Sequence, residues 1–255
     1  MLVDTHCHLD ASEFDHDREA VVDHGRAAGV GRVVVPAVSA SNFTAVAALA
    51  RQHDMVRAAF GIHPMYVNAA QEPDLDTLRG VLEAEPHVAV GEIGLDFFAD
   101  GQVPERQALF FRHQLQLARE FDAPVILHIR RAQDQILKHL RAVRVKGGIA
   151  HAFNGSRVQA DEFIKLGFKL GFGGAMTYPR ALRIRELART LPLEAIVLET
   201  DGPDIPPEWI RGQRNEPAEL PRIAQVLAEL RGMSIEAVIE ATWRNACSAL
   251  PGLLR

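Results

Sequence analysis

An α/β fold of the (β/α)8 barrel type, as a single domain over residues 1–255, is predicted by three observations. Short β-branched runs alternate with segments of helical period along the whole chain. Eight strand–helix pairs can be marked, and roughly 250 residues is the usual length of such a barrel. Ionisable residues recur where the strand runs end, which is where barrels of this kind build their sites. A doubly wound sheet is the competing architecture. It usually needs fewer strands, and no Gly-rich phosphate loop follows an early strand, since Gly25 and Gly29 lie within or at the end of a helical segment.

The elements follow in order. Leu2 to Asp4 opens the chain as a strand, and Arg18 to Ala28 has helical period. The triplet Val33-Val34-Val35 is the second strand, followed by a helix from Asn42 to Gln52. Arg57 to Phe60 leads into Gly61-Ile62-His63-Pro64, with a helix around Leu75 to Glu83. Val88-Ala89-Val90 runs into Gly91-Glu92-Ile93-Gly94-Leu95-Asp96, before a long helix over Glu105 to Glu120. Pro124 to His128 is the fifth strand, with its helix over Asp134 to Ala142. Gly148 to His151 is the sixth, with a helix over Val158 to Leu166. Phe168 to Phe172 and a helix over Leu182 to Thr190 make the seventh pair. Ala195 to Glu199 is the eighth strand, and helices over Pro217 to Glu229 and Ile235 to Ala246 close the chain.

Composition narrows the function classes. Hydrophobic residues are 47% and charged residues 24%, ordinary for a globular protein, and the formal charge of −5 argues against a basic coat for nucleic acid. Cys7 and Cys247 cannot make a disulfide framework, which fits a reducing cytoplasm. No charged leader precedes an apolar stretch and no run approaches a membrane span. The expectation is a soluble, unprocessed, cytoplasmic protein with no membrane partner and no obligate protein partner.

The most informative run is Val3-Asp4-Thr5-His6-Cys7-His8. Read as strand, alternation aims His6 and His8 one way with Asp4 beside them, and turns Cys7 away. Two imidazoles aimed at one point are a metal-ligand pair. Strand three ends near His63, strand four in Glu92, strand five in His128, strand six in His151 and strand eight in Asp201. The remaining histidines, among them His16, His24, His53, His87, His113 and His139, fall on helices, on turns or before a strand.

One histidine at a strand end is ordinarily a satisfied polar residue. So many ionisable groups at one rim are costly to bury unless cations compensate them. The ligand number points to two divalent ions. His6, His8 and Asp201 would hold one, His128 and His151 the other, and Glu92 would bridge them. A bridged water would become a hydroxide nucleophile, and Asp201 could carry its proton to the leaving group. The nitrogen-rich set favours zinc, manganese or iron, while magnesium suits a weaker, carboxylate-rich position.

These residues fall in motifs that resemble the TatD family of metal-dependent hydrolases. The matching stretches are Asp4-Thr5-His6-Cys7-His8, Gly61-Ile62-His63-Pro64, Gly91-Glu92-Ile93-Gly94-Leu95-Asp96 and Pro124-Val125-Ile126-Leu127-His128. Further on come His151-Ala152-Phe153-Asn154-Gly155-Ser156, Leu198-Glu199-Thr200-Asp201-Gly202-Pro203 and Arg214-Asn215-Glu216-Pro217. Thr177-Tyr178-Pro179-Arg180 is most similar to the YjjV-type branch. The resemblance implies a TIM barrel, a divalent-metal centre and phosphodiester hydrolysis, often trimming single-stranded DNA from the 3′ end. It implies that His6, His8, Glu92, His128, His151 and Asp201 are metal ligands and that His63 and Arg130 contact substrate phosphate. Ala152 and Asn154 depart from the family's usual Cys and Ser, and Gly202 stands where Ser or Ala is common; no ligand is lost.

Residues 130–189 carry thirteen Lys and Arg against four Asp and Glu, so the positive charge is concentrated around strands five to seven. Most of it belongs on solvated helix faces. Arg130, just past His128, and Arg180, in the loop after strand seven, are the better phosphate candidates. Aromatic residues are 6% of the chain, but Phe97, Phe98, Phe153 and Tyr178 follow strand ends and could stack on a terminal base. The expected activity is that of a metal-dependent deoxyribonuclease acting 3′ to 5′ from DNA ends. One alternative is hydrolysis of amides, lactones or aminoacyl esters on the same centre; the other is a non-catalytic metal-binding partner protein.

Overall fold

In a computed structural model, residues 1–254 are described. Eight parallel strands pair in sequence order, β1 with β2 through to β7 with β8. They are β1 (Leu2–Asp4), β2 (Val30–Pro36), β3 (Val56–Phe60), β4 (Ala89–Asp96), β5 (Val125–Arg130), β6 (Gly148–Ala150), β7 (Phe168–Phe172) and β8 (Ile196–Leu198). Around them lie α1 (Arg18–Ala27), α2 (Phe43–Gln52), α3 (Pro73–Ala84), α4 (Pro104–Glu120), α5 (Gln133–Ala142), α6 (Arg157–Lys165), α7 (Leu182–Thr190), α8 (Leu220–Arg231) and α9 (Ile235–Ala249). The predicted barrel is present. No described helix is long and apolar enough to cross a membrane.

The seam between β8 and β1 is closed by individual hydrogen bonds. The Thr5 N–H and hydroxyl both donate to the Leu198 carbonyl, at 3.1 and 3.0 Å. Beyond them the Asp201 N–H donates to His6 O at 2.8 Å, and the His8 N–H to Gly202 O at 2.7 Å. The same stitches that close the barrel therefore fix the backbone on both sides of the rim.

Two cores divide the molecule. The larger packs the outward strand residues against the helices. The smaller gathers Val3, Val34, Ala59, Ala89, Ile126, Ile149 and Val197 inside the barrel, against Ala246 and Ala249 of α9 and Leu250 and Leu253 beyond it. The C-terminal segment thus plugs one end of the barrel with apolar side chains. The polar rim lies at the opposite, C-terminal end of the strands, where loops rather than packing fill the space.

The structure corrects two local readings. β1 ends at Asp4, so His6 and His8 stand in the segment after it and not in the strand. Asp4 does not join their face. Its carboxylate accepts from the Thr200 N–H at 2.9 Å, the Thr200 hydroxyl at 2.6 Å and the His6 N–H at 3.3 Å. Asp4 is a brace across the seam, and its burial pushes its carboxyl up to about 7.

Candidate metal centre

Glu92, buried in β4, is the hub. Its Oε2 lies 3.1 Å from His6 Nε2 and 3.4 Å from His8 Nε2. Its Oε1 lies 2.9 Å from His128 Nδ1 and 3.5 Å from His63 Nε2. One carboxylate thus turns an oxygen to each of two histidine pairs. Asp201 closes the other side, with Oδ1 at 3.4 Å from His151 Nε2, 3.7 Å from His6 Nε2 and 3.9 Å from His8 Nε2. The six expected ligands therefore converge, although they come from chain positions 6 to 201.

Three groups have donor atoms close enough to share an ion: His6, Glu92 and His151; His6, His8 and Asp201; and His63, Glu92 and His128. His151 shares a group with His6 and Glu92, and its ring aims Nε2 at Asp201 and Nδ1 at Glu199. His63 stands nearer the centre than a phosphate contact requires. Its Nδ1 accepts from the Met65 N–H at 3.2 Å, so the neutral ring carries its proton on Nε2, toward Glu92. Burial lowers its pKa to about 4, which keeps the ring neutral.

Each of two outer histidines has a carboxylate behind it. Asp96 Oδ2 lies 3.1 Å from His128 Nε2, and Glu199 Oε1 lies 3.1 Å from His151 Nδ1. The second pair is close, but off the hydrogen-bond direction, and His151 Nδ1 has no hydrogen-bond partner. Glu199 also accepts from the Ala152 N–H at 2.6 Å, where φ is 43°, a left-handed backbone. Gly171 makes room for it, because a Cβ there would stand 2.2 Å from Glu199 Oε2. Asp96 and Glu199 were missed in the sequence reading. Both sit in quoted motifs, and the signal was a carboxylate four residues beyond Glu92 and another two residues before Asp201.

Charge in the centre is unbalanced without cations. Burial alone would lower His151 and His8, but Glu199 and Asp201 push His151 up to about 10, and Glu92, Asp201 and Asp10 push His8 up to about 9. Burial raises Asp201 to about 6 against the pull of His151 and His8. Burial also opposes ionisation of Glu92, yet the surrounding histidines, His6 first, hold it well below the usual carboxylate range. His6 and His8 bring their Nε2 atoms to 3.2 Å of each other, and the His6 and His151 rings stack at 3.6 Å. Convergent ring nitrogens with little between them suit a cation better than they suit each other. His6 Nδ1 is buried with no partner, a further cost that ligation at Nε2 would help offset. The donor set fits divalent metal.

The centre opens into a cleft of about 970 Å³, bordered by His8, His63, Glu92, His128, His151 and Asp201. His8, His128 and Asp201 are 19%, 17% and 13% exposed and form its reachable face. Arg130 lines the cleft. Arg180 is exposed and is not brought to the cleft wall. Cys7 is buried and its thiol faces the Gly202 carbonyl at 3.5 Å, away from the ligand groups.

Several helices and loops hold this arrangement. Gln114 of α4 accepts from the Ile62 N–H at 2.7 Å and donates to the Ile62 carbonyl at 3.0 Å. Gln107, one helical stretch earlier, accepts from the Asp96 N–H at 2.9 Å and donates to Pro64 O at 3.3 Å. Buried Asn215 donates to the carbonyls of Thr200, Asp204 and Ile205, fixing the loop after β8. Asp201 itself has φ of 62°, a left-handed conformation that a non-glycine residue keeps only when its surroundings hold it.

Comparison with known proteins gives the same reading. A family model described as TatD related DNase matches residues 3–251. The chain is 43% identical over 246 residues to YjjV of Escherichia coli K12, named an uncharacterized metal-dependent hydrolase, with 95% of each covered. It is 33% identical over 260 residues to the 3′-5′ ssDNA/RNA exonuclease TatD of Erwinia amylovora, covering 99% of this chain and all of that one. The crystal structure of E. coli YjjV superposes with a TM-score of 0.95 at 42% identity, over 98% of each chain. With six converging ligand candidates at the open end of its barrel, this chain belongs to the TatD family of metal-dependent hydrolases.

Proposed function

We propose that this chain hydrolyses phosphodiester bonds at nucleic-acid ends, as a deoxyribonuclease working 3′ to 5′. Two divalent ions, zinc, manganese or magnesium, would be held by His6, His8, Glu92, His128, His151 and Asp201. The observation that carries the reading is the Glu92 carboxylate with one oxygen toward each of two histidine pairs, at the floor of an open cleft that Arg130 lines. When bound, the ions supply Lewis acidity at the scissile phosphate and an activated water. Asp201, on the reachable face, takes the proton of the attacking water and returns it to the leaving oxygen. His63 donates its Nε2–H to a phosphate oxygen, and the Arg130 guanidinium offsets phosphate charge. The family description and the names of the TatD exonuclease and of a mouse relative, a putative deoxyribonuclease, support this substrate class.

The test is to load the metal-free protein with magnesium, manganese or zinc and follow end-labelled single- and double-stranded DNA. Asp201→Asn excludes a contaminating nuclease. Stepwise nucleotide release from the 3′ end is expected, and no release with any metal would refute the reading. One observation favours a second substrate class: Asp10, Glu13 and Asp204 line the cleft and suit an ammonium group, as on an aminoacyl ester. Cleavage of aminoacyl esters, amides or lactones without nucleotide release would establish that reading instead.

A further inference from the structure

The two walls of the cleft differ in charge and apolarity. Asp10, Glu13 and Asp204 line one side, and Met65, Tyr66 and Arg130 line the other. Beside Arg130, outside the core, Phe97 and Phe98 are both exposed, Phe98 by 45%. The Arg130 guanidinium carbon lies 3.9 Å from the centre of the Phe98 ring, and that of Arg131 lies 4.5 Å from it. Neighbouring residues of an extended chain point to opposite sides, so two consecutive arginines meet one ring only where the chain turns. Arg131 supplies that turn with φ of 54°. A left-handed arginine and a wet phenylalanine both cost stability, and core packing recovers neither.

The loop that presents Phe98 is built onto the metal centre. Asp96 Oδ1 accepts from the N–H groups of Phe98 and Ala99 at 2.8 and 2.9 Å, while its Oδ2 faces His128. The Phe97 N–H donates to the Arg130 carbonyl at 2.9 Å. Asn68 donates to Gly101 O at 2.9 Å, tying this loop to the one that carries Met65 and Tyr66. The aromatic wall is therefore a defined surface continuous with the cleft.

We infer that Phe98, Arg130 and Arg131 form a binding platform for the body of a single nucleic-acid strand whose end lies in the cleft. Bases stack against the layer that Phe98 and the guanidiniums over it form, with Tyr66 nearer the centre, and phosphates face the outer N–H groups of the two guanidiniums. The strand leaves over the β4–β5 side, because the acidic wall after β1 and β8 repels a polyanion. This platform rests on the nucleic-acid reading proposed above, and it adds the path of the strand and the residues that favour longer substrates.

The test compares kcat/KM of the metal-loaded enzyme for end-labelled oligothymidylates of two and eight nucleotides. It adds fluorescence anisotropy with a phosphorothioate octamer that is cut slowly. Phe98→Ala and Arg131→Glu should each lower the octamer-to-dimer ratio about tenfold and weaken octamer binding about tenfold, by the size of a stacking or phosphate contact. Phe98→Tyr should restore both, and Arg131→Glu should flatten the salt dependence of binding. Glu13→Gln should leave the ratio unchanged or raise it. Unchanged ratio and affinity in both platform variants would overturn the platform while nuclease activity stands, leaving the patch to a protein partner. A lower ratio in Glu13→Gln would put the strand on the other wall and also overturn it. Phe98- and Arg131-dependent binding with no nucleotide release would overturn the nuclease reading and keep the platform. A wild-type protein that neither binds nor cuts the octamer would overturn both.

Discussion

Asp201 is the residue on which two structural demands meet. Its N–H closes the barrel seam on His6, and its carboxylate faces His6, His8 and His151. Asp201→Asn keeps the N–H and the side-chain size but removes the proton acceptor. Turnover should fall about 10²–10⁴-fold, the range for loss of a general base, or further if an ion is lost, while circular dichroism stays unchanged. Near-normal turnover would remove Asp201 from the chemistry. Glu92→Gln removes the charge that two histidine pairs share, so bound metal, measured by elemental analysis, should drop by at least one ion per chain. Unchanged metal content with full activity would end the bridging role. Cys7→Ser changes a thiol that faces Gly202 O, so the metal content of that variant should equal the wild type's.

At the scale of elements, the centre depends on side chains that touch no ligand position directly. Gln114 satisfies both backbone groups of Ile62, next to His63, from the buried face of α4. Gln114→Ala leaves a buried N–H and C=O unpaired, which should cost about 2 kcal/mol or more, read as a lower denaturant midpoint. A midpoint equal to wild type would mean that water replaces the amide fully. Gly171→Ala tests the packing behind His151. Its Cβ would collide with the Glu199 carboxylate, so a loss of about 1–3 kcal/mol is expected together with weaker metal retention against a chelator. A variant as stable and as metal-retentive as wild type would show that Glu199 can move without consequence.

For the whole molecule, metal is a stability term. Glu92, His6 and His151 are buried at the open end of a barrel whose other end is plugged by α9. At a metal concentration about a thousand times Kd, each ion adds about 4 kcal/mol to the folded state. Chelation should therefore lower Tm by about 10 °C or more, at roughly 2–4 °C per kcal/mol for a chain of this size. Uptake should also release protons, because the surrounding carboxylates raise His8 to about 9 and His151 to about 10, while a ligating ring must be neutral. Calorimetry in buffers of different ionisation enthalpy would read this directly, and a heat independent of buffer would contradict it.

The barrel and the ligand candidates were legible in the sequence, for a local reason. Strand runs such as Val33-Val34-Val35 declare themselves through β-branched residues, and a barrel's chemistry sits where its strands end. His6, His8, Glu92, His128, His151 and Asp201 could therefore be named from position along the chain. Their partition could not. His151 turns Nε2 toward Asp201 with Glu199 close to its Nδ1, and the tautomer of His63 depends on the Met65 N–H. Asp4, a neighbour of the histidines in sequence, turned out to brace Thr200 from the far end of the chain. Arg131 was indistinguishable from solvated charge until the turn there brought it, with Arg130, onto Phe98. The sequence by itself determined the fold and named candidate metal ligands that the structure brings together, because periodicity and residue chemistry are local properties. Which atom faces which, and along which wall a substrate runs, was decided only by the tertiary structure, because those depend on contacts between residues far apart in the chain.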